Sequence, residues 1–219
     1  MKHWKKLATT LALFGMAGVA NATIVSFTLS NEVSNSGSEL TAPITVTLDD
    51  ENSAGTVNIT IDMAGLQPEE FMTGLYLNFD PAKDPTGMGL GDTGGVASTA
   101  FFTCPPTADV GCKPDGQAFH DVVIEFAAAG SGDARFTGGE TYTGTLSLDG
   151  LLATDFEFLS STGNCAVARV QGLGPDAQNS GWFDCGDEPP QEVVEPGSLA
   201  LFGLGIGLLG FMGRRRKNG

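Results

Sequence analysis

In the stretch GTVNITIDM, Val57, Ile59, Ile61 and Met63 alternate with Asn58, Thr60 and Asp62, and in TGLYLNF Leu75, Leu77 and Phe79 alternate with Tyr76 and Asn78. A period of two means a strand with one buried face, because successive side chains of an extended chain point to opposite sides. Comparable runs at Ile24–Ser30, Ile44–Leu48, Phe119–Phe126, Tyr142–Leu148, Asp155–Ser160 and Asn164–Val170 bring the predicted strands to eight. Clusters of Gly, Asp, Asn and Pro separate them, and Thr, Val and Phe suit a pleated, half-buried surface. No convincing helical stripe longer than two turns interrupts the series. The pattern predicts an all-β fold: a single antiparallel β-sandwich over 23–188, long enough to bury a core, with a jelly roll as the expected variant. Pro81 to Ala118 is the longest stretch expected to be irregular.

Both ends depart from this alternation. The chain opens MKHWKKLATTLALFGMAGVANA, with Lys2, Lys5 and Lys6, an apolar run from Leu7 to Val19, and a close on Ala20-Asn21-Ala22. A charged start, a short apolar middle and a small-x-small end predict a cleavable signal peptide over 1–22. Ala20 and Ala22 form the signal peptidase site, so that the mature chain begins at Thr23. At the other end a linker, 189–198, leads into fifteen apolar or glycine residues, Leu199 to Gly213, and then into a basic tail, 214–219, holding Arg214, Arg215, Arg216 and Lys217.

Fifteen residues make a helix of about 22 Å, against about 30 Å of bilayer core. That length is marginal for a permanent anchor, so transient insertion in the inner membrane is expected. The basic cluster acts as a stop-transfer signal held in the cytoplasm, and the sandwich stays outside. Gly203, Gly207 and Gly210 fall at i, i+4 and i+7, a flat helix face that a second transmembrane helix can approach closely. Pro196 ends the helix on its polar side, because proline donates no backbone hydrogen bond and restricts the residue before it.

Charge narrows the partners. Seven of the eleven basic residues lie in the two ends, which leaves Lys83, Lys113, Arg135 and Arg169 against all twenty-six acids, a net charge of −22 between them. Such a surface repels polyanions, and nucleic acid is excluded as a partner. The acidity serves solubility outside the cell. Low-affinity calcium binding by carboxylates such as Asp49, Asp50 and Glu51 is the alternative, with no EF-hand spacing behind it. Four cysteines in an exported chain predict disulfides, and four allow three pairings. Local pairing, Cys104 with Cys112 and Cys165 with Cys185, is the most economical. Zinc is opposed by the lack of a C-x-x-C pair and by a single histidine outside the leader, His120, so no metal and no cofactor are expected.

Catalytic patterns are weak. Gly89-Leu-Gly-Asp-Thr-Gly94 fits G-x-G-x-x-G in letters, but no strand directly precedes it and no helix follows, so a glycine-rich loop at the sandwich end is expected instead. His120 stands beside Asp121, yet no G-x-S-x-G elbow accompanies them. The chain is not expected to be an enzyme. A carbohydrate-binding module is the stronger rival, with Trp182 in NSGWFDCG as the possible ligand platform. A secreted enzyme of unknown class ranks third.

Leader, Pro-Gly-Ser opener, short Gly/Leu-rich helix and arginine cluster together resemble the PEP-CTERM sorting signal of Gram-negative, exopolysaccharide-producing bacteria. In that family the motif is usually Pro-Glu-Pro. Here Val193-Val194-Glu195-Pro196-Gly197-Ser198 carries Val194 in place of the first proline. The segments FMTGLYLNFDP, RFTGGET, DFEFLS and VARVQGLG are similar to a recurrent ectodomain of such proteins. The resemblance implies removal of the tail by exosortase, an integral-membrane enzyme, and an exported protein at the cell surface or in an extracellular matrix. It further implies a structural or interaction role with exopolysaccharide or biofilm, and no established activity for the ectodomain.

Overall fold

The computed structural model describes residues 22–51, 53–104, 112–114, 118–130, 134–186 and 191–194, and the architecture below is that of these residues. Strand β1 (Thr23–Leu29) buries Val25, Phe27 and Leu29 on one side, and β3 (Ile44–Asp49) and β4 (Thr56–Asp62) repeat that alternation beside it. The three lie side by side, continued by β10 (Thr141–Ser147) and closed by β6 (Gly89–Gly94) at one edge and β13 (Gln191–Val194) at the other. The order of this sheet is β13-β1-β3-β4-β10-β6, antiparallel throughout.

A second antiparallel sheet faces it. Its order is β2 (Asn31–Glu32), β12 (Asn179–Asp184), β11 (Ala166–Leu173), β5 (Phe71–Leu77), β8 (Val122–Glu125) and β7 (Ala100–Thr103), with β9 (Phe136–Thr137) also on β5. Apolar side chains of both inner faces meet in one core, including Phe27, Ile59, Leu75, Val170 and Phe183. Phe126 bridges the layers, its ring 4.9 Å from Phe136 and 5.1 Å from Tyr142. The all-β expectation with two antiparallel sheets holds. The jelly-roll order does not: the successive strands β3 and β4 pair in one sheet, where a jelly roll would place them in different sheets.

Three further expectations are corrected. Asp155–Ser160 is not a strand. Ala153–Phe156 is a 3-10 helix, closed because the Asp155 carboxylate accepts the Leu152 N–H at 3.0 Å and the Lys83 ammonium at 2.7 Å. Of its aromatic residues Phe156 enters the core while Phe158 stays exposed, so the apparent period is accidental. Secondly, the stretch 81–118 contains β6 and β7. The glycines of GLGDTG form an edge strand rather than a terminal loop, held by backbone pairing to β10, and an edge strand whose one apolar side chain is Leu90 leaves no hydrophobic period to read. Thirdly, the range 189–198 contributes β13, which extends the sheet to Val194.

Buried polar groups fix the connections. Asn78, expected on a polar face, is buried, and its amide is shared among the carbonyls of Phe158, Asn164 and Cys165 at 2.7–3.0 Å. Glu70 is likewise buried, accepting the N–H groups of Thr41 at 3.1 Å and Gln67 at 2.8 Å as well as the Thr41 hydroxyl. The turn carrying Glu69 and Glu70 packs onto Gly172, whose φ of +78° and missing side chain are both required there.

Candidate functional site

The first and last strands of the described sandwich are adjacent. Thr23 pairs with Val194 across β1 and β13, followed by Ile24 with Val193, Val25 with Glu192 and Ser26 with Gln191. Thr23 turns its backbone groups away from β13. Its N–H donates to Asp50 Oδ1 at 2.9 Å and its carbonyl accepts the Asp50 N–H at 3.3 Å. The N–H and C=O of one strand residue share a direction, so Thr23 and Val194 form a non-hydrogen-bonded pair. The Val194 N–H therefore points to the open side of the sheet. Ala22, beside the expected cleavage point, is buried. Ala20, the motif residues Glu195, Pro196, Gly197 and Ser198, the glycines Gly203, Gly207 and Gly210, and the cluster Arg214–Lys217 lie outside the described residues. Among the described residues no helix is long and apolar enough to cross a membrane.

The cysteines pair as the shortest loops suggest. Cys104 is bonded to Cys112 and Cys165 to Cys185, with Cα–Cα distances of 5.9 and 6.1 Å. The first bond caps the outer face of the second sheet, where Cys104, Cys112 and Val123 form a small apolar cluster with Tyr76. The second joins the start of β11 to the end of β12 and is part of the main core.

Trp182 is not a presented platform. It is only 8% exposed, the Tyr76 ring stands edge-on at 5.5 Å, and the Arg169 guanidinium lies 5.2 Å above its ring. Arg169 comes from the adjoining strand β11 and Tyr76 from β5 beyond it, so the indole is an internal element of a surface cluster. His120 is buried beside Tyr76, with 6.1 Å between ring centroids, and neither of its ring nitrogens has a hydrogen-bond partner. Burial alone pushes its pKa down to about 4, since the charged imidazolium is poorly solvated there. Asp121 is not its partner. That carboxylate accepts the Phe79 N–H at 2.9 Å, and burial raises its pKa. No Ser-His-Asp geometry arises from these residues.

The other cations among the described residues are engaged as well. Lys83 pairs with Asp155, Arg135 lies 4.4 Å over the Phe71 ring and Lys113 lies 5.1 Å over Phe119. An open cleft of about 660 Å³ is lined by Glu39, Thr41, Gln67, Glu69, Glu70 and Gly172, but Glu70 is engaged in holding the loops together. Among the described residues no group of three or more His, Cys, Asp or Glu side chains is placed to hold a metal ion. Asp50, named in the sequence only within an acidic run, is the residue the pattern missed: nothing local announces that its carboxylate meets the start of β1.

Comparison with known proteins bears on one end of the chain. No curated protein and no solved structure matches it. Residues 193–217 match the family model of the PEP-CTERM protein-sorting motif, so the chain carries a C-terminal sorting signal, which indicates export and sorting to the cell surface of a Gram-negative bacterium with processing by an exosortase-type enzyme.

Proposed function

We propose that this chain is a non-enzymatic surface or extracellular-matrix protein whose disulfide-stapled sandwich is the cargo and whose two hydrophobic ends are removed during export. Signal peptidase releases Thr23, the Leu199–Gly213 helix holds the protein transiently in the inner membrane, and exosortase removes the tail near Pro196. The sandwich then serves as a structural or interaction component associated with exopolysaccharide. The sorting-motif match carries this reading, and the position of its first residues supports it. The match begins at Val193, inside β13, so only residues 195–198 separate the folded sheet from the expected helix. A cut in that interval frees an intact sandwich. Burial of Trp182 under Arg169 and Tyr76 favours an interaction role over sugar binding, which needs a presented ring.

Intact mass of the mature protein from its native host tests the reading. The expected species begins at Thr23, lacks everything after about Pro196, and lies outside the inner membrane. In a host without exosortase the tail should remain and the protein should stay membrane-bound. Recovery of the Arg214–Lys217 peptide from the mature native protein would overturn the proposal.

A further inference from the structure

We propose that Asp50 is a built-in receptor for the α-ammonium group that signal cleavage creates at Thr23. The inference rests on the removal of residues 1–22 described above. In the uncleaved chain the Thr23 nitrogen is a neutral amide with one proton, and it already lies 2.9 Å from Asp50 Oδ1. Hydrolysis breaks the Ala22–Thr23 bond. The water oxygen completes the Ala22 carboxylate, and both water protons end on the Thr23 nitrogen, which at neutral pH becomes an ammonium group. A full positive charge thus appears within hydrogen-bond distance of a carboxylate that is only 4% exposed.

The surroundings hold that carboxylate in position before cleavage. The Asp50 N–H donates to the Thr23 carbonyl at 3.3 Å, which closes a ring with the Thr23 N–H contact, and Asp50 Oδ2 accepts the Ala153 N–H at 3.5 Å. Little reorganisation is needed when the charge arrives, and a hydrogen bond between two ionised partners is about twice as strong as a neutral one. Thr23 is also the partner of Val194. Maturation at the front of the chain therefore secures the strand that supports the first residues of the sorting-motif match.

The test uses the full chain exported with its own leader. A glycine inserted between Ala22 and Thr23 moves the new ammonium group one residue outward and leaves Thr23 a neutral amide. It is combined with Asp50→Asn in a four-member cycle read by Tm, with N-terminal sequencing of each product. We expect the added glycine to lower Tm by about 2–4 °C or more when Asp50 is present and not when it is replaced. If Asp50→Asn does not fold, acetylation of the α-amine decides: it should be at least tenfold slower at Thr23 than at the added glycine. A mature wild-type chain that begins elsewhere than Thr23 overturns both this proposal and the export reading. A Thr23 start with an equal glycine effect in both backgrounds, or equal acetylation rates, overturns the Asp50 pairing alone.

Discussion

His120 combines a titratable side chain with burial and two unpartnered nitrogens, and its behaviour with pH follows from that. Its pKa is near 6.5 when unfolded and about 4 when folded. The neutral form is therefore favoured in the fold, and the stability it contributes is present above pH 6.5 and lost as pH falls toward 4. The full loss is on the order of 3 kcal/mol, at about 1.4 kcal/mol for each pH unit separating the two values. A His120→Phe variant, which has nothing to protonate, should lose less stability between pH 6.5 and 4 than the wild type. Chemical denaturation of both proteins across that range measures the difference. Trp182 illustrates the other limit at this scale, an aromatic residue whose neighbours have already occupied it. Trp182→Ala should cost about 3–5 kcal/mol, as large aromatic truncations at packed sites do, instead of leaving stability unchanged as loss of an exposed sugar platform would.

At the scale of elements, the junction of β1 with β13 and the two disulfides determine how the ends are held. Val194 stands where the sorting family usually has proline, and its N–H points away from β1. Proline is tolerated on an edge strand when the missing N–H faces the open side. Val194→Pro should therefore leave the fold intact, with stability changed by no more than about 0.5 kcal/mol, and should still be processed in the native host. Loss of β13 pairing, seen as unfolding or proteolysis at 191–194, would show that the N–H is needed. Replacing Cys165 and Cys185 together by alanine should cost about 3 kcal/mol, because that bond closes twenty residues between two core strands. The Cys104–Cys112 pair closes eight, and its removal should cost less. Thermal or urea unfolding of the two double variants gives the order.

At the scale of the whole molecule carboxylates are in excess, and the four cations among the described residues are engaged with aromatic rings or with Asp155. Charge of one sign keeps an exported protein soluble and repels other polyanions. If solubility is its role, millimolar calcium should shift Tm no further than magnesium does. A calcium-specific rise would reveal a site selective for the native state, since a ligand at a hundredfold excess over its dissociation constant adds about 2.7 kcal/mol. Replacing Gly203 and Gly207 by leucine tests the tail at the same scale. Insertion should persist and tail removal should fail, because leucine suits lipid but blocks close helix approach.

The strands legible in the sequence are those whose two faces differ in solvent: Val57, Ile59 and Ile61 lie in the core beside partly exposed Asn58 and Thr60, and the chain records that contrast directly. The sorting tail was legible for a similar reason, since such a signal is carried by local sequence that needs no tertiary partner. The disulfides followed from economy of loop length. Elsewhere local pattern was silent or misleading. β6 is paired through its backbone and brings a single apolar side chain, Leu90, to the core, β13 borrows its pairing from β1 at the opposite end of the chain, and Phe156 and Phe158 share a period that packing does not honour. The roles of Asp50, Asn78 and Trp182 depend on contacts with residues distant in sequence, among them Thr23, Cys165 and Tyr76. Sequence by itself determined which segments are strands with a buried face and where the chain is sent. Only the tertiary structure decided which polar and aromatic groups are buried, because burial is set by the neighbours that arrive from elsewhere in the fold.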